Sequence, residues 1–212
     1  MFRKLAIILP VVIFALGILF TSVLRTAEVK YEFSDTLSKS DNSPQILGAE
    51  NIDIPYNLAY PGKVLPNSPL WSLKAFRDKI WLAITTNPGR KADLKLLFAD
   101  KRIGMSKILF EKEKYEEGFS VLTKAEKYLE EALYQEEENR EMGIDTSELL
   151  RRCNYASLKH QQTIEEILLL APEDAKPSII ETKRYSKEVY EKTKQALQEK
   201  GLEAPKNPFN GG

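Results

Sequence analysis

Residues 60–94 read YPGKVLPNSPLWSLKAFRDKIWLAITTNPGRKADL. Two helix starts are written into this stretch. Ser68 stands before Pro69 and Asn87 before Pro88. A small polar residue followed by proline is the pattern of an N-cap, with proline at the first helical position where its missing N–H costs nothing. Between them Leu70, Leu73, Phe76, Ile80 and Ile84 recur at three-to-four spacing with Trp81 beside them, and Lys74, Arg77, Asp78 and Lys79 fall on the outer side. The stretch therefore predicts a short amphipathic helix packed by its apolar face, then a restart into a second helix.

The pattern continues toward the C-terminus. The second helix carries Leu94, Leu97, Phe98, Ile103, Met105, Ile108 and Leu109, with Gly104 inside it as a place of close packing or local weakness. A third shows Phe119, Leu122, Ala125, Leu129, Ala132 and Leu133 and stops near Gly143. Asp145 with Glu148 three residues on resembles a capping box for a fourth, whose stripe is Leu149, Cys153, Ala156, His160, Ile164, Ile167 and Leu168. Pro172 and Pro177 bracket the next break, and Ile179, Ile180, Tyr185, Val189, Ala196 and Leu197 define a fifth. Consecutive helices joined by short loops predict an all-α, up-and-down antiparallel bundle of about four to five helices over residues 65–202, with the first helix across it. The closing GLEAPKNPFNGG makes residues 203–212 a disordered tail.

Toward the N-terminus the composition changes. Leu5–Leu24 carries no charge, and at 1.5 Å per residue about 20 residues match a hydrocarbon core of roughly 30 Å. A signal peptide has a shorter apolar run and a small-x-small cleavage site; Arg25 spoils the nearest candidate, so residues 1–25 read as an uncleaved transmembrane anchor, with secretion after cleavage as the alternative. Arg3 and Lys4 before the span place the bulk of the chain outside the cytoplasm; Arg25 and Lys30 after it keep the opposite orientation open. Residues 26–64 read as a flexible tether, with ILGAENIDIPYNLAYPG extended against the bundle.

Charge excludes more than it suggests. Thirty-one Lys and Arg balance 31 Asp and Glu, so no net field favours nucleic acid. The bundle is nonetheless polarised: between Lys63 and Lys107 the only acids are Asp78, Asp93 and Asp100, and from Glu111 to Glu148 the sign reverses. Mutual complementation of antiparallel neighbours is the simpler account, and contact of the basic half with anionic lipid is the other.

Candidates for chemistry are few. One cysteine, Cys153, precludes an internal disulfide or a CxxC site. One histidine, His160, with Ser157 three residues before it, precludes paired Glu-x-x-His metal ligands. Cys153 and His160 share a helix face but stand about 10 Å apart along it, beyond the roughly 3 Å of a nucleophile–base pair, so both read as core. Glu136, Glu137, Glu138 and Glu141 read as a solvated helix end, and Trp71 and Trp81 as seals for the first helix. No P-loop, GxGxxG, GxSxG or HExxH pattern occurs. The expectation is a non-enzyme with no catalytic, cofactor-binding or metal residues, a protein or envelope partner, and a homodimer as a further option.

The segment from Leu65 to Ile103 also resembles a bacterial family of helical domains of unknown function. Family members open on Leu-Pro-x-x-x-Leu-Tyr-x-Leu-Lys and restart on Thr-x-x-Pro-x-x-Lys-Ala-x-Leu into a helix ending Ala-x-x-Arg. Here these are Leu65, Pro66, Leu70, Trp71, Leu73 and Lys74, then Thr85, Pro88, Lys91, Ala92, Leu94, Ala99 and Arg102, with Trp71 in place of Tyr. LAPEDAKPSIIETKRYSKEVYEK is similar to the family's closing helix. The resemblance implies an anchored or exported helical domain at the bacterial surface, and it carries over no catalytic residues.

Overall fold

The computed structural model describes Ile18 and residues 54–66 and 68–209. The predicted span Leu5–Leu24, apart from Ile18, and residues 26–53 lie outside the described residues. Among the described residues there is no strand, and no helix is long and apolar enough to cross a membrane. Five helices follow in order: α1 Trp71–Ile84, α2 Pro88–Glu111, α3 Tyr115–Glu141, α4 Ser147–Leu170 and α5 Lys176–Glu199.

The helix boundaries follow local chemistry. At α2 the Asn87 side chain accepts the Arg90 N–H at 2.9 Å with Pro88 at the first position, as expected. At α1 a preliminary turn intervenes: Ser68 Oγ accepts the Leu70 N–H, and the helix proper begins at Trp71. Asp145 acts one residue earlier than a capping box would have it, taking the Ser147 N–H and Oγ–H on one oxygen. Helices α3 and α5 stop on glycines with positive φ, Gly143 and Gly201. The following amide reaches back to Asn139 in one case and Leu197 in the other. Helix α2 ends in the same motif with a non-glycine residue, Glu113, at φ 58°.

Helices α2 and α3 form one hairpin and α4 and α5 another, and the two hairpins stack. Sequential helices are antiparallel, as predicted. The lateral neighbours are not: α2 lies beside α4 and α3 beside α5, so the ring runs α2, α3, α5, α4. Asp93 pairs with Arg152 near the start of α2 and α4, and Lys107 with Glu166 toward their ends at 2.7 Å, which makes that pair parallel. Within the ring, the direct ion pairs of basic α2 thus go to α4, while Arg102 meets Asp78 of α1; toward acidic α3, Lys95 Nζ reaches the Glu131 carbonyl, at 3.3 Å.

Two apolar clusters fill the interior. One gathers Leu96, Ala99, Leu129, Leu133, Cys153, Ala156 and Val189; the other gathers Ile103, Phe110, Leu122, Ile164, Ile167 and Ile179. Truncating any of the fully buried leucines to alanine would cost about 2–5 kcal/mol. Ile180, assigned to the α5 stripe from sequence, is exposed, and Thr182 and Ser186 take inward positions instead.

The described segments on either side of the five helices pack on the bundle. Ile54, Tyr56 and Ala59 are buried, so the part of the linker expected to lie extended against the bundle does pack on it. Residues 203–209, expected as tail, fold back along α5 together with Leu202. Leu202 and Ala204 pack on Leu150 and Leu197, the Tyr190 hydroxyl donates to the Pro205 carbonyl at 2.8 Å, and Phe209 meets the first apolar cluster.

Helix α1 departs furthest from expectation. It runs antiparallel to α2, with Trp71 against Met105 and Leu109, and Trp81 against Leu94 and Phe98. Its inward face is the one carrying Trp81 and Asp78; Leu70, Leu73, Phe76 and Ile84 point to solvent.

Candidate functional site

Between the two apolar clusters lies one polar layer. Each helix of the bundle contributes to it at mid-length: Asp100 from α2, Glu126 from α3, His160 from α4 and the Ser186 amide from α5. His160 and Glu126 are fully buried. His160 Nδ1 lies 2.7 Å from Glu126 Oε1 and Nε2 lies 3.4 Å from Asp100 Oδ1. The Ser186 N–H donates to Glu126 Oε2 at 3.0 Å, and the Tyr56 hydroxyl donates to Asp100 Oδ2 at 2.8 Å. The layer therefore ties the four bundle helices to the segment that precedes α1.

Burial alone would drive the His160 ring to its neutral form. Hydrogen bonds and charge from Asp100 and Glu126 overcome that and hold its pKa up at about 9. The raised pKa favours the imidazolium at neutral pH, the form that can donate to both carboxylates. Burial first, then the charge and hydrogen bond of Asp100, pushes the Tyr56 hydroxyl well above its ordinary value. A histidine oriented by a carboxylate is the geometry of a general base. Here the second nitrogen is engaged by a second carboxylate inside the core, and the arrangement serves to fix four helices in register.

The other sequence candidates lie apart from this layer. Cys153 packs among Leu129, Leu133 and Ala156, and burial pushes its thiol up to about 12. The acidic run is only in part the solvated end that its composition suggests. Glu136 is fully buried, accepting from the Thr146 hydroxyl at 2.5 Å and from Arg140 Nε at 3.3 Å, and burial raises its pKa. Glu138 and Glu141 are exposed. Trp71 and Trp81 sit toward opposite ends of α1, Trp81 edge-on to Phe98 at 6.0 Å. Among the described residues no group of three or more His, Cys, Asp and Glu is placed to hold a metal ion.

A second charged cluster lies under α1. Arg77 donates to Asp78 Oδ1 at 2.7 Å. Arg102, buried, lies over the Tyr128 ring at 4.3 Å and donates to the Phe98 carbonyl, with Asp78 at 3.9 Å; its Nε has no hydrogen-bond partner. Lys74 donates to the carbonyls of Pro61 and Val64, tying the leading segment to α1. Burial holds the Lys74 pKa down at about 8 against the attraction of Asp78, with Lys101, Arg77 and Arg102 adding repulsion. Lys101 is lowered for the same reasons.

Sequence reasoning placed His160 in the core and missed its partners. Glu126 and Asp100 are 34 and 60 residues away, which no local period reports. The available signal was positional: each falls in the buried register of its own helix, where an acid needs a partner.

Two stacked helical hairpins about a polar layer, with a fifth helix along the outside, define an all-α bundle domain. Residues 63–200 match the family described as a domain of unknown function, DUF5667, and the chain belongs to that family. The match includes Asp100, Glu126 and His160 and begins after Tyr56. No curated protein and no solved structure matches the chain.

Proposed function

We propose that this chain is a single-pass membrane protein whose helical bundle stands outside the cytoplasm and binds a protein or cell-envelope component without catalysing a reaction. The uncharged run Leu5–Leu24 carries the reading, being of bilayer-spanning length and preceded by Arg3 and Lys4. The non-catalytic part is supported by how the reactive side chains are used: His160 is consumed in the polar layer and the Cys153 thiol is buried and protonated.

Protease shaving of sealed cells carrying a tag after Gly212 tests the orientation. Loss of the tag is the expected result; survival until lysis would place the bundle inside, and recovery of the chain from the medium would show cleavage. A second reading, a single-span sensor or regulator that dimerises, is favoured by the apolar face that α1 turns to solvent. Crosslinking in intact membranes distinguishes it by trapping a pair joined through α1.

A further inference from the structure

The outward face of α1 carries an apolar stripe, with the exposed base Lys79 on the same helix. Leu70, Leu73, Phe76 and Ile84 are 59%, 55%, 57% and 52% exposed, on a helix whose other face already packs on α2. A continuous apolar stripe of this kind marks an interaction surface. Of the bases on α1, Lys79 is exposed and Arg77, paired with Asp78, is part-exposed; Lys74, Lys101 and Arg102 lie behind them around the buried Asp78, so five bases face one acid on this side of the molecule. From Lys63 to Lys107 the remaining acids are spent elsewhere, Asp93 on Arg152 and Asp100 on His160 and Tyr56.

We infer that α1 docks on a bilayer containing anionic lipid, its apolar stripe at the acyl boundary and Arg77 and Lys79 at the headgroups. Charge complementarity selects this occupant over a second copy. A two-fold contact through α1 would bring the same cationic cluster against itself, whereas anionic headgroups neutralise it. Chain length agrees. The roughly 30 residues from Arg25 to Asp53 can span at most about 100 Å at full extension, so an anchor at Leu5–Leu24 holds α1 within reach of the same bilayer. This inference rests on the anchor reading of Leu5–Leu24.

The test uses the full chain reconstituted into vesicles, with an environment-sensitive fluorophore on Phe76→Cys or, as control, on Glu181→Cys of α5, diagonal to α2 in the ring. The vesicles are phosphatidylcholine alone or mixed equally with phosphatidylglycerol. Position 76 should shift to the blue and be quenched by shallow spin-labelled lipid in the mixed vesicles only, with position 181 unchanged. The shift should shrink in 1 M salt, where the screening length falls to about 3 Å, and in Arg77→Glu/Lys79→Glu. A water-like signal at 76 in a chain that resists alkaline carbonate extraction overturns the docking and leaves the anchor intact. If carbonate extracts the chain, the anchor reading fails. Docking is then judged by the same shift on adding the vesicles, its presence supporting and its absence overturning the inference. A shift that needs no lipid and grows with protein concentration assigns the face to a second copy and overturns it.

Discussion

His160 occupies a position where α4 would accept a leucine, and the choice of an ionisable ring makes the fold sensitive to pH. Its pKa is about 9 folded against an ordinary 6.5. A raised pKa contributes stability that is complete below about pH 6.5 and is lost as pH rises through 9, up to about 3 kcal/mol from the linkage relation. Urea unfolding at the two ends of that window should show the loss. Lys74, lowered to about 8, acts in the opposite sense above its folded pKa. The comparison that isolates His160 is therefore His160→Leu. That variant should be roughly 3–5 kcal/mol less stable at pH 7, with two buried carboxylates left unpaired, and flatter across the window. An unchanged pH slope in His160→Leu would refute the assignment. Cys153 makes a companion case: a thiol reagent should modify it only at the rate of unfolding, and fast reaction in native buffer would contradict its burial. The sequence marks both as interior because their helical register is local. It does not reveal what faces them, because partners are chosen by tertiary packing.

At the scale of single elements the punctuation is what local chemistry predicts best. Asn87→Ala should cost about 1 kcal/mol by removing a cap whose geometry is intact. Gly143→Ala should cost about 1–2 kcal/mol although a Cβ there meets nothing within 4 Å, because the penalty lies in its φ of +77°. Denaturant midpoints of the two variants check both numbers; a neutral Gly143→Ala would mean that the turn relaxes. Gly104, flagged from sequence, is less constrained: its Cβ would sit at an ordinary 3.6 Å from Pro61. The constrained glycine is Gly118, where a Cβ would lie 2.7 Å from the Phe110 ring. Helix α1 shows the limit of periodicity. Leu73, Phe76 and Ile80 announce an apolar face, but a moment does not say what covers it. The bundle instead buried Trp81 with Asp78, leaving the stripe outward.

For the molecule as a whole, the sequence conveys the class and the succession of helices, and not which hairpin faces lie side by side. Residues ahead of the expected boundary at 65 also pack on the bundle. A chain beginning at Tyr60 would lose Ile54, Tyr56 and Ala59 and leave Asp100 without its tyrosine. It should be about 3–5 kcal/mol less stable than one beginning at Ile54, as for loss of a large buried aromatic. Thermal unfolding of the two fragments decides this, and equal midpoints would show that the leading segment is ornamental.

The ring order has a further effect on how copies of the chain meet. The two hairpins are joined through Met142–Thr146, and each buries its inner face chiefly against the other. If that link straightens while the halves are apart, two chains can trade hairpins, and every contact about both histidines is rebuilt across the pair. Refolding at high concentration should then yield an exchanged dimer that survives dilution on a sizing column. Refolding in the dilute limit should yield the closed form alone.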